Sequence, residues 1–88
     1  MNNEVIEFKN IEELYKRVGP ALYSKCLELR KIGMKHVSGK DIWLYLIDNV
    51  WKDKKELELS DMVSDILFAD PEKLDEFVSN KILNSKEN

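Results

Sequence analysis

The run Ser38 to Lys55, SGKDIWLYLIDNVWKDKK, decides how this chain folds. Within it Ile42, Trp43, Leu44, Leu46, Ile47 and Val50 are apolar, and at about 100° per residue they fill well over half of a helical circumference. A helix so widely apolar needs neighbours on two sides. Asp41, Tyr45, Asp48 and Asn49 are left as a polar strip, so the run is read as the central helix of a small helical domain. Ser38 with Asp41 three positions later resembles a capping box with Asp in the place of the usual Glu, which fixes the helix start. The helix is expected near residues 39–51, and it passes without Gly or Pro into Trp51 and the lysines Lys52, Lys54 and Lys55.

N-terminal to this run, Ile11, Leu14, Tyr15 and Val18 follow i, i+3, i+4, i+7 spacing, with Asn10 as the expected N-cap and Glu12 and Glu13 suited to the positive end of the helix dipole. Gly19-Pro20 interrupts the pattern. Proline is well tolerated as a first helical residue, so two helices are expected, 10–18 and one from Pro20, with a single kinked helix as the alternative. The second places Leu22, Cys26 and Leu29 on one face with Tyr23, Leu27 and Ile32 beside them, and Lys25, Arg30 and Lys31 on its polar side. Gly33 is expected as its left-handed C-terminal residue.

C-terminal to the run, Lys52 to Glu56 reads as a charged connection in which Asp53 is a candidate cap for the next helix. Leu59, Met62, Val63, Ile66 and Leu67 form an amphipathic stripe whose outer face carries Glu58, Asp61 and Asp65. Asp70-Pro71-Glu72 is a helix start, with Asp70 as N-cap. The last helix uses Leu74, Phe77, Val78, Ile82 and Leu83. No run alternates with period two. The expected fold is all-α: one domain of four to five short helices packed around the central one at residues 10–83, preceded by a flexible or loosely packed segment 1–9 and followed by a disordered tail 84–88.

Eighty-eight residues make one domain with a small core, since a chain of this size buries only about 60% of its unfolded surface. A hydrophobic content of 43% is enough to fold it. The single Cys26 permits no internal disulfide, and with the single His36 it assembles no zinc site of the usual spacing. No targeting pattern and no long apolar run is present, so a cytoplasmic protein without membrane insertion is expected. Residues 1–40 hold eight Lys or Arg against five Asp or Glu, a charge of +3, whereas residues 41–88 hold six against twelve, a charge of −6. Lys16 to Lys40 carries seven of the basic residues and only one acid, Glu28.

Enzymatic chemistry finds little to work with. Cys26 and His36 are the only nucleophile and base of their kinds, and Cys26 lies on an apolar stripe, where it reads as a small buried hydrophobe. No glycine-rich phosphate loop exists. Asp61 and Asp65 share a helix face at i, i+4, but two carboxylates without a third ligand read as a solvated acidic surface. Neither an enzyme, a cofactor nor a bound metal is expected.

Two basic clusters remain as candidate contacts for a nucleic acid or protein partner. Lys35, His36 and Lys40, with Arg30 and Lys31, lie where the second helix meets the central one. Trp51, Lys52, Lys54 and Lys55 lie at the other end of the central helix, where lysines also complement the helix dipole. Trp51 reads either as core or as an exposed aromatic for base stacking. The acidic total argues against strong non-specific binding to duplex nucleic acid.

The residues LRKIGMKHVSGKDIWLYLIDNVWKDKK followed by LSDMVSDIL resemble the ComN-like family of small post-transcriptional regulators of Gram-positive bacteria. The resemblance spans about Val18 to Val78. It rests most on the Gly33 turn, on Asp41 and Trp43, on the Trp51-Lys52 junction and on the block Leu59 to Leu67. It implies a non-enzymatic regulator of late competence messenger RNA, associated with the cell-division and pole scaffold. It carries no catalytic positions. Asp53 interrupts the lysine run and the segment after Ile66 is acidic, which leaves action on RNA open to be direct or through a partner; an adaptor docking on a coiled-coil scaffold without RNA is the alternative.

Overall fold

The computed structural model describes residues 11–54 and 56–86. The segment 1–9, the expected cap Asn10, Lys55 and residues 87–88 lie outside the described residues. Five α-helices follow in order: α1 (Ile11–Arg17), α2 (Gly19–Lys31), α3 (Gly39–Leu46), α4 (Leu59–Leu67) and α5 (Pro71–Lys86), with a π-helical turn Ile47–Trp51 continuing α3. This is the all-α domain expected from periodicity. α2 packs on α3 and α4, and α3 also packs on α4 and α5, which puts the run from Ser38 at the centre.

Local chemistry explains where the helices begin and end. α1 and α2 part at Val18, whose N–H still donates to the Leu14 carbonyl at 3.0 Å, while Pro20 sits in the first turn of α2. α2 ends on Gly33 at φ 92. The Gly33 N–H donates to the Arg30 carbonyl at 3.0 Å and the Met34 N–H to the Leu29 carbonyl at 2.8 Å, a Schellman motif with Met34 packed against the core. At α3 the capping box is complete: the Asp41 N–H donates to Ser38 Oγ at 3.2 Å, and the Ser38 N–H donates to the Asp41 carboxylate at 2.9 Å. Asp70 caps α5 by accepting the Glu72 N–H at 2.9 Å.

Leu14, Val18, Leu22, Leu29, Ile42, Trp43, Leu46, Met62, Ile66, Leu74 and Val78 bury their side chains as the stripes require. Three expectations are corrected, and one buried residue is not singled out by the sequence. Lys25, assigned to the polar side of α2, is only 2% exposed; its Nζ donates to the Leu67 carbonyl at 2.9 Å and to Glu28 at 3.2 Å, so a cation closes the C-terminal end of α4. Asp53 does not cap α4, which starts after Glu58 with no side-chain cap. Leu57, hidden among charges in the connection, is buried. α5 runs to Lys86, past its expected end at residue 83.

The opening run decides between the two readings of Trp51. Trp51 follows Leu46 by five residues, which in a regular α-helix would leave it about 140° out of phase with the core. Closing the turn i→i+5 returns it to the buried side. Trp51 is accordingly 0% exposed, and its indole N–H donates to the Asp65 carboxylate at 2.8 Å.

Candidate functional site

Tertiary contacts sort the basic residues into those with a carboxylate partner and those without. His36 Nε2 lies 2.6 Å from Asp75 on α5. Lys54 stands 3.8 Å from Asp65, Lys81 stands 4.0 Å from Asp41, and Lys25 is held by Glu28. Among the described residues Lys16, Arg30, Lys31, Lys35, Lys40, Lys52 and Lys73 are exposed and enter none of these ion pairs. Their charge is therefore not compensated by a direct contact.

The candidate Trp51 is withdrawn as a surface contact. Its ring is enclosed in the core and its only polar atom is engaged by Asp65, so no base reaches it. Asp65 is correspondingly more than part of a solvated acidic face. The two lysine clusters stand at opposite ends of the central helix, with Lys40 and Lys52 about 18 Å apart at 1.5 Å per residue. Lys35 and His36 precede that helix in the α2–α3 connection, where His36 is drawn toward α5.

A feature not singled out from the sequence lies between α1 and α3. Glu12, Tyr15, Lys16, Lys40, Trp43 and Leu44 line an open groove of ≈ 590 Å³. Its floor is aromatic and aliphatic, and two uncompensated lysines stand on its rim. Tyr15 is 36% exposed and meets Trp43 edge to face at 5.3 Å, while Trp43 meets Trp51 in the same manner at 5.5 Å. A line of three rings thus runs from the groove into the core, where Asp65 fixes the last of them. Tyr15 belongs to the apolar stripe of α1, so spacing alone assigns it to the core; its half-open position follows from how α1 meets α3.

Cys26 is partly buried, with its Sγ 4.0 Å from the Val37 carbonyl. Burial pushes the thiol pKa up, Arg30 opposes that shift and Asp41 adds to it. A thiol that holds its proton is a poor nucleophile. Among the described residues no group of three His, Cys, Asp or Glu side chains is arranged to hold a metal ion. No helix among them is long and apolar enough to cross a membrane.

Comparison with known proteins adds to this geometry. A family model described as a post-transcriptional regulator matches residues 11–87. The chain is 40% identical over 72 residues to the post-transcriptional regulator ComN of Bacillus subtilis (strain 168), over 81% of this chain and 70% of that protein. No solved structure matches it.

Proposed function

Because this chain belongs to the post-transcriptional regulator family, a family of regulators rather than enzymes, we propose that it acts on messenger RNA through its uncompensated basic surface, the transcripts being those of late competence genes as the resemblance implies. The observation that carries this reading is the pairing of Lys16 and Lys40, both free of ion pairs, beside the half-exposed Tyr15 in the α1–α3 groove. Lys35 and Lys52 extend the contact toward the two ends of the central helix. Lys54, Lys55 and His36 complete it, with Lys54 and His36 shared with their carboxylate partners.

The test measures binding of a leader RNA to the full chain across a salt series. For a single strand, every phosphate that is no longer neutralised should lower the slope of log affinity against log salt by about 0.7. Neutralising Lys35, Lys40 and Lys52 to Gln together should therefore flatten the salt dependence by about two. An unchanged slope and affinity in that triple variant would refute the assignment of contacts.

A second reading, an adaptor docking on a cell-division or pole coiled-coil scaffold without touching RNA, draws support from exposed apolar side chains away from the groove. Phe68 is 83% exposed at the α4–α5 turn and Tyr23 is 65% exposed on α2. Ribonuclease treatment separates the readings: an adaptor retains its scaffold after the RNA is digested and retains it equally in the lysine variant.

A further inference from the structure

We infer that the groove between α1 and α3 is a subsite for one unpaired nucleotide of single-stranded RNA, its base stacked on Tyr15 and its flanking phosphates held by Lys16 and Lys40. The inference rests on the reading of the chain as an RNA-contacting regulator and deepens it by naming the unit that is bound.

Size, surface and charge each point to that ligand. A groove of ≈ 590 Å³ falls within the range of small-molecule sites. Its apolar floor consists of Tyr15, Trp43 and Leu44, about one turn of each flanking helix. A docked amphipathic helix asks for more, because its anchors at i, i+3, i+4 and i+7 need an apolar floor two turns long. An unpaired base asks only for one aromatic ring and a cation for the phosphate on either side.

The platform is also held in place before any ligand arrives. Tyr15 rests on Trp43 at 5.3 Å and Trp43 on Trp51 at 5.5 Å, and Trp51 is fixed by its 2.8 Å hydrogen bond to Asp65. A ring positioned in this way loses little freedom on binding, which favours affinity. Glu12 lines the same groove and repels phosphate. The groove's cations for phosphate are therefore Lys16 and Lys40, and its aromatic lining is left to the base.

The experiment titrates the full chain with a fluorescent decacytidine RNA, with a strand of the same length and charge lacking bases, and with an RNA duplex. The variants are Tyr15→Leu, Tyr15→Phe and Lys40→Gln, each checked for native helicity by circular dichroism. The wild-type chain should bind the single strand best. Tyr15→Leu should weaken that binding about tenfold, Tyr15→Phe should stay within about twofold, and neither should alter binding of the base-free strand. Lys40→Gln should weaken both strands and lower the salt slope by about 0.7. Binding should also quench Trp43 fluorescence, which lies beside the stacked base.

Equal binding of the base-free strand by the wild-type chain, or an unaltered affinity in a folded Tyr15→Leu chain, overturns the subsite while leaving the RNA reading in place. Failure of the wild-type chain to bind any RNA at low salt overturns both. Capture of an acidic amphipathic peptide that is abolished in Tyr15→Leu, with RNA binding untouched, assigns the groove to a protein ligand and overturns the subsite.

Discussion

Removing the Asp65 carboxylate should destabilise the domain by about 2 kcal/mol. Trp51 is wholly enclosed, and its indole N–H has one acceptor, the Asp65 carboxylate at 2.8 Å. Asp65→Ala leaves that donor buried without a partner, at a cost of about 1–3 kcal/mol. The 3.8 Å contact of Asp65 with Lys54 adds little, because Lys54 is exposed, Asp65 is only half-buried and such solvent-screened pairs contribute about 0.2–1 kcal/mol. At this chain length 1 kcal/mol moves the melting temperature by about 4–8 °C. Thermal unfolding followed by far-UV circular dichroism should therefore show Asp65→Ala melting about 8–16 °C below the wild type. Asp61→Ala, one turn away on the exposed face, should stay within about 0.5 kcal/mol. Asp65→Asn keeps an oxygen acceptor and should lose less than Asp65→Ala. The decisive measurement is the double-mutant cycle with Trp51→Phe. With the indole N–H gone, Asp65→Ala should cost no more than about 1 kcal/mol, the Lys54 pair being what is left to lose. An Asp65→Ala chain as stable as Asp61→Ala, or one equally destabilised in the Trp51→Phe background, would refute the claim that this hydrogen bond secures the end of the central helix.

Gly33→Ala places a side chain at φ 92 and should cost about 1–2 kcal/mol by urea denaturation, with Gly33→Asn losing less. Lys25→Met keeps the buried stem but strips the Leu67 carbonyl of its donor, and a loss of about 1–3 kcal/mol is expected on the same assay, against under about 1 kcal/mol for Glu28→Gln on its exposed partner. Burial raises the Cys26 thiol pKa, so the native chain should react with iodoacetamide more slowly at mildly alkaline pH than the urea-unfolded chain, as read by mass shift. The same shift has a linked effect on stability: above the ordinary thiol value the native state holds a proton that the unfolded state has released, so stability falls as pH rises through that window, and a Cys26→Ala chain should lack this part of the decline.

Signals confined to a few consecutive residues translate directly from sequence to structure. Ser38 and Asp41 cap each other across three positions, Gly33 closes α2, and Asp70-Pro71 opens α5, because each of these depends only on neighbours along the chain. Lys25 does not translate, since the carbonyl that receives it belongs to Leu67, forty-two residues away. A lysine with a long aliphatic stem scores as polar by type, whatever a distant helix end offers it. Leu57 is masked by the charges around it. His36 and Lys54 show the same limit in the candidate site: their basic character is plain, yet Asp75 and Asp65, which take up part of it, are brought near only by folding. Trp51 is ambiguous in the sequence for a definite reason. Its spacing extends the Leu44 and Ile47 stripe of a regular α-helix but sets it about 140° from Leu46 on the buried side, and the π-helical turn brings it to the core.

That turn also ties the groove to the domain's stability. α1 is a seven-residue helix, too short to persist alone, so the position of Tyr15 depends on what α1 rests against. α2 carries the helix itself, whereas the Tyr15 ring rests on Trp43, and Trp43 is braced in turn by Trp51. A regular α-helical continuation would carry Trp51 away from Trp43 and Asp65 together, removing the brace from the groove and the acceptor from the indole in one change. The groove and the buried end of the central helix should therefore respond together: Asp65→Ala, which lies outside the groove and releases Lys54 for either strand alike, should loosen Tyr15 and weaken binding of a base-bearing strand relative to a base-free one. Equal weakening of both strands would show instead that the groove holds its shape without the aromatic line.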